Sequence, residues 1–147
     1  MSIKGAKEIK AKLRQQKTKH IAGLQRGLMR AGLALQRESM KIVPILSGNL
    51  RASAYTRPSG HGSTFEVAVG YTAKYALYVH ENLEAAHGRV FNEKHADKIK
   101  KAKGKAKQYW FRRGADQQAK FLEKPFREQR KRLAEIVEVE IRKETLK

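Results

Sequence analysis

The sequence predicts an α+β fold: a small antiparallel β-sheet packed by a long N-terminal helix, a middle helix and a C-terminal helix, with a Lys-rich excursion. Three observations predict it. Apolar residues recur at helical spacing near the start of the chain and again over about 116–145. Two short segments between them alternate with period two around a Gly-rich loop. Residues 85–114 hold no sustained apolar period. At 147 residues the chain suits one domain, 1–147.

The elements follow in order. Residues 4–14 read as a short basic helix, with Ile9 and Leu13 one turn apart. Thr18 is placed to cap a longer helix. Ile21, Leu24, Leu28, Leu35 and Ile42 then recur at helical spacing, with Ala31 and Gly32 on the same stripe. Small residues there let another element approach closely. Pro44 ends the helix, because the residue before a proline avoids the α region. Ile45 to Asn49 reads as a turn, Leu50 to Arg57 as a strand, and 58–63 as a loop. Phe65, Val67 and Val69 alternate with Glu66, Ala68 and Gly70, so 64–70 reads as a second, antiparallel strand.

From Thr72 to Leu83 the period changes. Tyr75, Val79 and Leu83 are spaced by four, with Ala76 and Tyr78 on the same face, which predicts a helix. Phe121, Leu122, Phe126, Leu133, Val137 and Ile141 predict the last helix. Pro125 fits its first turn, where a missing N–H costs little. Two strands alone are marginal. The sheet therefore calls for a further strand from 85–114 or for a neighbouring subunit.

Charge narrows the function. There are 33 Lys plus Arg against 14 Asp plus Glu, a net +19. Residues 1–30 carry nine bases and one acid, and residues 88–113 carry ten and two. These two segments hold most of the excess, so a polyanion is a natural partner. The chain has no Cys, which excludes disulfides, thiolate metal sites and Cys nucleophiles. No run of 18 apolar residues exists, so no membrane span is expected. The start Met1-Ser2-Ile3-Lys4-Gly5 lacks an apolar signal core, so no cleaved secretion signal is expected.

Candidate sites are few. Ser47, Ser53 and Ser63 sit in no Gly-x-Ser-x-Gly turn, and no catalytic residues are assigned. His80, Glu84 and His87 share a helix face at i, i+4, i+7, a spacing that can hold a divalent metal. With no second ligand cluster they read as a surface face, so no metal and no cofactor is expected. Gly60-His61-Gly62 lacks the Lys-Ser/Thr and following helix of a phosphate loop. Lys94, Lys98, Lys100, Lys101, Lys103, Lys105 and Lys107 have almost no acids to pair with, and suit sequence-blind contact with phosphates. Tyr109, Trp110 and Phe111 are able to stack on bases but read better as interface anchors.

Three pieces of the chain carry a resemblance. The first is Val43-Pro44-Ile45-Leu46-Ser47-Gly48-Asn49-Leu50-Arg51-Ala52-Ser53, after an Ala/Arg-rich helix. The second is Val69-Gly70 followed by Tyr75-Ala76-Leu77-Tyr78-Val79-His80-Glu81. The third is Gln118-Ala119-Lys120-Phe121-Leu122-Glu123-Lys124-Pro125-Phe126. In this order, and with the opening Ile3 to Ile9, they resemble the head–tail joining or tail-completion (minor capsid, neck) family of tailed bacteriophages. The resemblance implies a basic segment 1–17, a family core of 18–84 and 114–145, and a Lys-rich insertion at 85–113, where many relatives have a short link.

What the resemblance implies is a structural virion protein, not an enzyme. It would form a homo-oligomeric ring in the phage neck, with six copies favoured and twelve as the alternative. The ring would join the DNA-filled head to the tail, line the DNA channel, and touch other neck, connector and tail proteins and, non-specifically, viral DNA. Such a protein is made in the bacterial host cytoplasm. The alternative from charge alone is a basic nucleic-acid-binding accessory protein.

Overall fold

The computed structural model describes residues 4–45, 48–83 and 118–146. Its elements are helix α1 (Lys4–Ile42), helix α2 (Asn49–Ala52), strand β1 (Ala54–Ser59), strand β2 (Glu66–Tyr71), helix α3 (Ala76–Glu81) and helix α4 (Glu123–Thr145). A 3₁₀ turn at Gly62–Thr64 lies between the strands. The strands pair with each other as a two-stranded antiparallel sheet, and the fold class is α+β.

Several boundaries differ from the sequence expectation. The basic segment and the long helix are one helix, because Arg, Gln and Lys between residues 14 and 17 favour helix and nothing there breaks it. Thr18 therefore caps nothing; its Oγ1 donates to the Arg14 carbonyl at 3.0 Å. Leu50 belongs to a helical turn rather than a strand. Gly48, at φ 87°, redirects the chain, and Ser53 closes the turn by donating from Oγ to the Leu50 carbonyl at 2.7 Å. β1 consequently starts at Ala54 and extends through Pro58 and Ser59. Pro58 is tolerated because, among the described residues, each strand of this sheet is an edge. α3 is shorter than the 72–83 expected, and α4 begins at Glu123 with Pro125 in its first turn.

The described residues form two compact units. The first comprises 4–34, 56–68 and 129–146; the second comprises 35–45, 48–55, 69–83 and 118–128. In the first, α1 and α4 run antiparallel in close contact. A Cβ on Gly23 would lie 2.7 Å from the Ile141 Cα, and one on Gly27 would lie 2.8 Å from the Val137 Cα. Glycine at both positions lets the two backbones meet. Ala31 and Leu133 are buried in the same unit. Ion pairs flank the contact: Arg26 with Glu144, and Arg30 with Glu140 at 2.6 Å.

The second unit is built around Val43, Leu50, Ala76 and Phe121. Ile42, Tyr71, Ala73, Val79 and Leu122 pack against them. Phe121 is 1% exposed and meets the Tyr71 ring edge-to-face, with centroids 5.0 Å apart. Ser39 is fully buried, and its hydroxyl shares a 2.6 Å hydrogen bond with that of Tyr71. Burial pushes the Tyr71 phenol above its ordinary pKa, against smaller opposing effects from Ser39 and Arg51. The face expected on α3 is partly wrong. Ala76 is buried and Val79 half-buried, but Tyr75, Tyr78 and Leu83 are exposed, because fewer than two turns of helix form and Leu83 lies beyond them.

Candidate interaction surfaces

An open groove of about 350 Å³ lies in the second unit, lined by Tyr55, Tyr71, Leu77, His80, Phe121 and Leu122 among others. Its floor is the Phe121 cluster and one wall is α3. At its rim His80, Glu81 and Lys120 form a polar chain. The His80 Nδ1 and a Glu81 carboxylate oxygen are 2.8 Å apart, and the Lys120 ammonium donates to the other oxygen at 2.5 Å. Lys120 also pairs with Glu123 at 3.3 Å.

The backbone explains this convergence. Lys120 has φ 56°, unusual for a residue with a Cβ, and its N–H donates to the His80 carbonyl at 2.8 Å. The turn before α4 is thereby tied to α3 by a backbone bond and an ion pair. The Lys120 hydrogen bond, reinforced by His80, holds the Glu81 carboxyl below its ordinary range. Glu81 in turn raises the Lys120 ammonium. The His80 ring stands edge-on to Phe121, centroids 4.9 Å apart. Its Nε2 is buried with no hydrogen-bond partner among the described residues. The chain of groups fixes two elements together; it contains no hydroxyl or thiol set up as a nucleophile.

A second surface is the N-terminal part of α1. Residues 5–18 are exposed at every position, Ile9 at 62% and Leu13 at 60%.

Of the residues singled out from sequence, Lys94, Lys98, Lys100, Lys101, Lys103, Lys105 and Lys107 lie outside the described residues, as do Tyr109, Trp110 and Phe111. Glu84 and His87 lie outside them too. Among the described residues no three His, Cys, Asp or Glu side chains cluster as metal ligands, and His80 is turned to Glu81 instead. No described helix is long and apolar enough to cross a membrane. Sequence reading missed Gly23 and Gly27, although their four-residue spacing is visible, and it missed Lys120, whose backbone conformation carries no residue-type signal.

Comparison with protein-family models, with curated proteins and with solved structures finds no match to this chain in any of the three.

Proposed function

We propose that the protein is a structural component of a tailed-phage neck, forming a ring that joins the DNA-filled head to the tail. The observation that carries this reading is the meeting of the three resembling segments in one core. Val43 and Leu50 come from the first segment, Ala76 and Val79 from the second, and Phe121 and Leu122 from the third. These six residues serve packing, which favours a structural role over a catalytic one. Among the described residues the sheet has two strands, the further strand expected from 85–114 lying outside them; this supports assembly, because open strand edges invite pairing with another chain. The net charge of +19 supports proximity to DNA.

In this reading six copies form the ring, with twelve as the alternative, and the protein resides in the virion after synthesis in the bacterial cytoplasm. The lysines of 94–107 face the DNA channel, and Tyr109, Trp110 and Phe111 anchor contacts between subunits or with neck neighbours. Native mass measurement of the purified chain, alone and with connector proteins, tests it together with imaging of the intact neck. Rings or connector complexes are expected. A lone monomer in virions overturns the reading, and tight salt-sensitive binding of free nucleic acid by a monomer would replace it with the accessory-protein alternative.

A further inference from the structure

Helix α1 outruns its partner. In the first unit α4 runs antiparallel to it, with Val137 against Gly27 and Ile141 against Gly23, and α4 ends at Thr145. N-terminal to that contact, residues 5–18 of α1 extend for about four turns at 3.6 residues per turn. No described residue buries any part of this arm.

The arm continues the face that α1 presents to α4, with larger side chains in place of the glycines. At about 100° per residue, Ile9, Leu13, Gln16 and His20 fall on the side of the helix that carries Gly23, Gly27 and Ala31. Arg26 and Arg30 form one edge of that packed face and pair with Glu144 and Glu140. The same edge continues through Lys19, at the base of the arm, to Lys12, while Lys17 and Lys10 form the opposite edge. No described carboxylate pairs with any of these four lysines, and the arm's single acid is Glu8. What results is a short apolar stripe between two rows of ammonium groups, in line with a stripe that already holds a helix edged by Glu.

Charge selects the occupant. A second copy of the arm is as basic as the first, and the chain's own 88–113 carries ten bases against two acids, so both are repelled. A nucleic-acid duplex would meet the lysines but make no use of Ile9 and Leu13. We propose that the arm docks an acidic amphipathic helix of a partner protein. That helix sets its apolar stripe on Ile9 and Leu13 and its carboxylates against Lys12, Lys19, Lys10 and Lys17. The proposal stands apart from the neck reading, since it needs only the geometry of α1 and α4.

The test uses the full chain and two labelled, stapled helical peptides of about four turns. Both repeat the spacing of Val137 and Ile141; one carries Glu at the flanking positions and the other Lys. Fluorescence anisotropy should show the Glu peptide binding about tenfold or more tightly than the Lys peptide, and weakening with salt. Ile9→Asp with Leu13→Asp should cost about tenfold in affinity. Changing Lys10, Lys12, Lys17 and Lys19 to Glu should reverse the preference between peptides. Circular dichroism confirms that the variants keep wild-type helix content, and Ile9→Ser with Leu13→Ser replaces the Asp pair if they do not. Equal binding of both peptides, or binding indifferent to the arm variants, overturns the proposal. So does conversion of an oligomer to a monomer by the Ile9/Leu13 change, or a lysine effect seen only with a DNA duplex.

Discussion

Gly27 lies so close to Val137 that a Cβ on it would stand 2.8 Å from the Val137 Cα and 3.0 Å from its carbonyl oxygen. Glycine inside a helix ordinarily costs about 0.5–1 kcal/mol relative to alanine. At Gly27 the sign is reversed, because the added methyl would meet backbone, which has no rotamer through which to escape.

Gly27→Ala is therefore expected to destabilise the protein by about 1–3 kcal/mol, the usual range for overpacking. Gly23→Ala should behave alike, its Cβ meeting the Ile141 Cα at 2.7 Å. Gly5→Ala is the control: nothing lies within 4 Å of the added carbon. It should leave stability unchanged or raise it. Denaturant melts followed by circular dichroism read all three, and a Gly27→Ala protein as stable as wild type would show that the helices do not meet there.

Phe121 and Phe126 give the matching contrast in the second unit. Phe121 is 1% exposed and touches Tyr71 and His80, whereas Phe126 is 54% exposed. Phe121→Ala should cost about 3–5 kcal/mol. Phe126→Ala should stay within about 0.5 kcal/mol, as surface changes do. Equal losses from the two would mean that Phe126 is packed as Phe121 is, against its exposure in α4.

That contrast shows where the sequence was readable. α1 and α4 announced themselves by long apolar periods, and β2 by clean alternation of Phe65, Val67 and Val69. Leu50 was misread because one apolar residue in a short polar run fits a strand or a helical turn equally; Gly48 and the Ser53 cap decide it, and both act through backbone geometry. Thr18 looked like a cap because residue type alone does not show whether the chain breaks before it. Counting large apolar residues along α1 hid Gly23 and Gly27, whose role is to present no side chain. The polar chain of His80, Glu81 and Lys120 joins positions about 40 residues apart, and spacing along the chain carries no trace of it.

Acid should remove the stabilisation centred on Glu140, which Lys143 supplies from within α4 and Arg30 from α1, in a defined sense. The Glu140 carboxyl lies below its ordinary value of 4.5, chiefly through the hydrogen bond from Lys143, with Arg30 and Arg26 adding attraction and burial opposing them. A carboxyl whose pKa is lower in the folded state contributes stability that is fully present above the unfolded value. That contribution is lost as pH falls through the folded one. The stability gap between wild type and Glu140→Gln should thus be widest above about pH 5.5 and should close as pH falls below about 4.5. Melts of both proteins across that range measure it. A gap that widens on acidification would contradict the assigned pairing.

The Lys-rich segment bears on the proposed neck role. Its 88–113 segment carries ten bases and two acids, while 31–87 and 114–147 are nearly balanced. A ring multiplies that excess, and six copies would place about +48 around one axis if all of it faced inward. DNA in a neck has to move, so useful contacts are numerous, individually weak and blind to sequence. Lysine on a flexible stem suits this better than the fixed fork of arginine, which favours bidentate readout. Changing Lys98, Lys100, Lys101, Lys103, Lys105 and Lys107 together to Gln removes six charges per copy and leaves every packed residue of the described core untouched. The variant is expected to fold and assemble normally while producing particles that retain or deliver their genome poorly. Titres and packaged DNA of complemented particles measure this directly. Full infectivity, or an imaged neck with these side chains on its outer rim away from DNA and from any acidic neighbour, would remove the channel-lining role and leave the lysines as solvated surface.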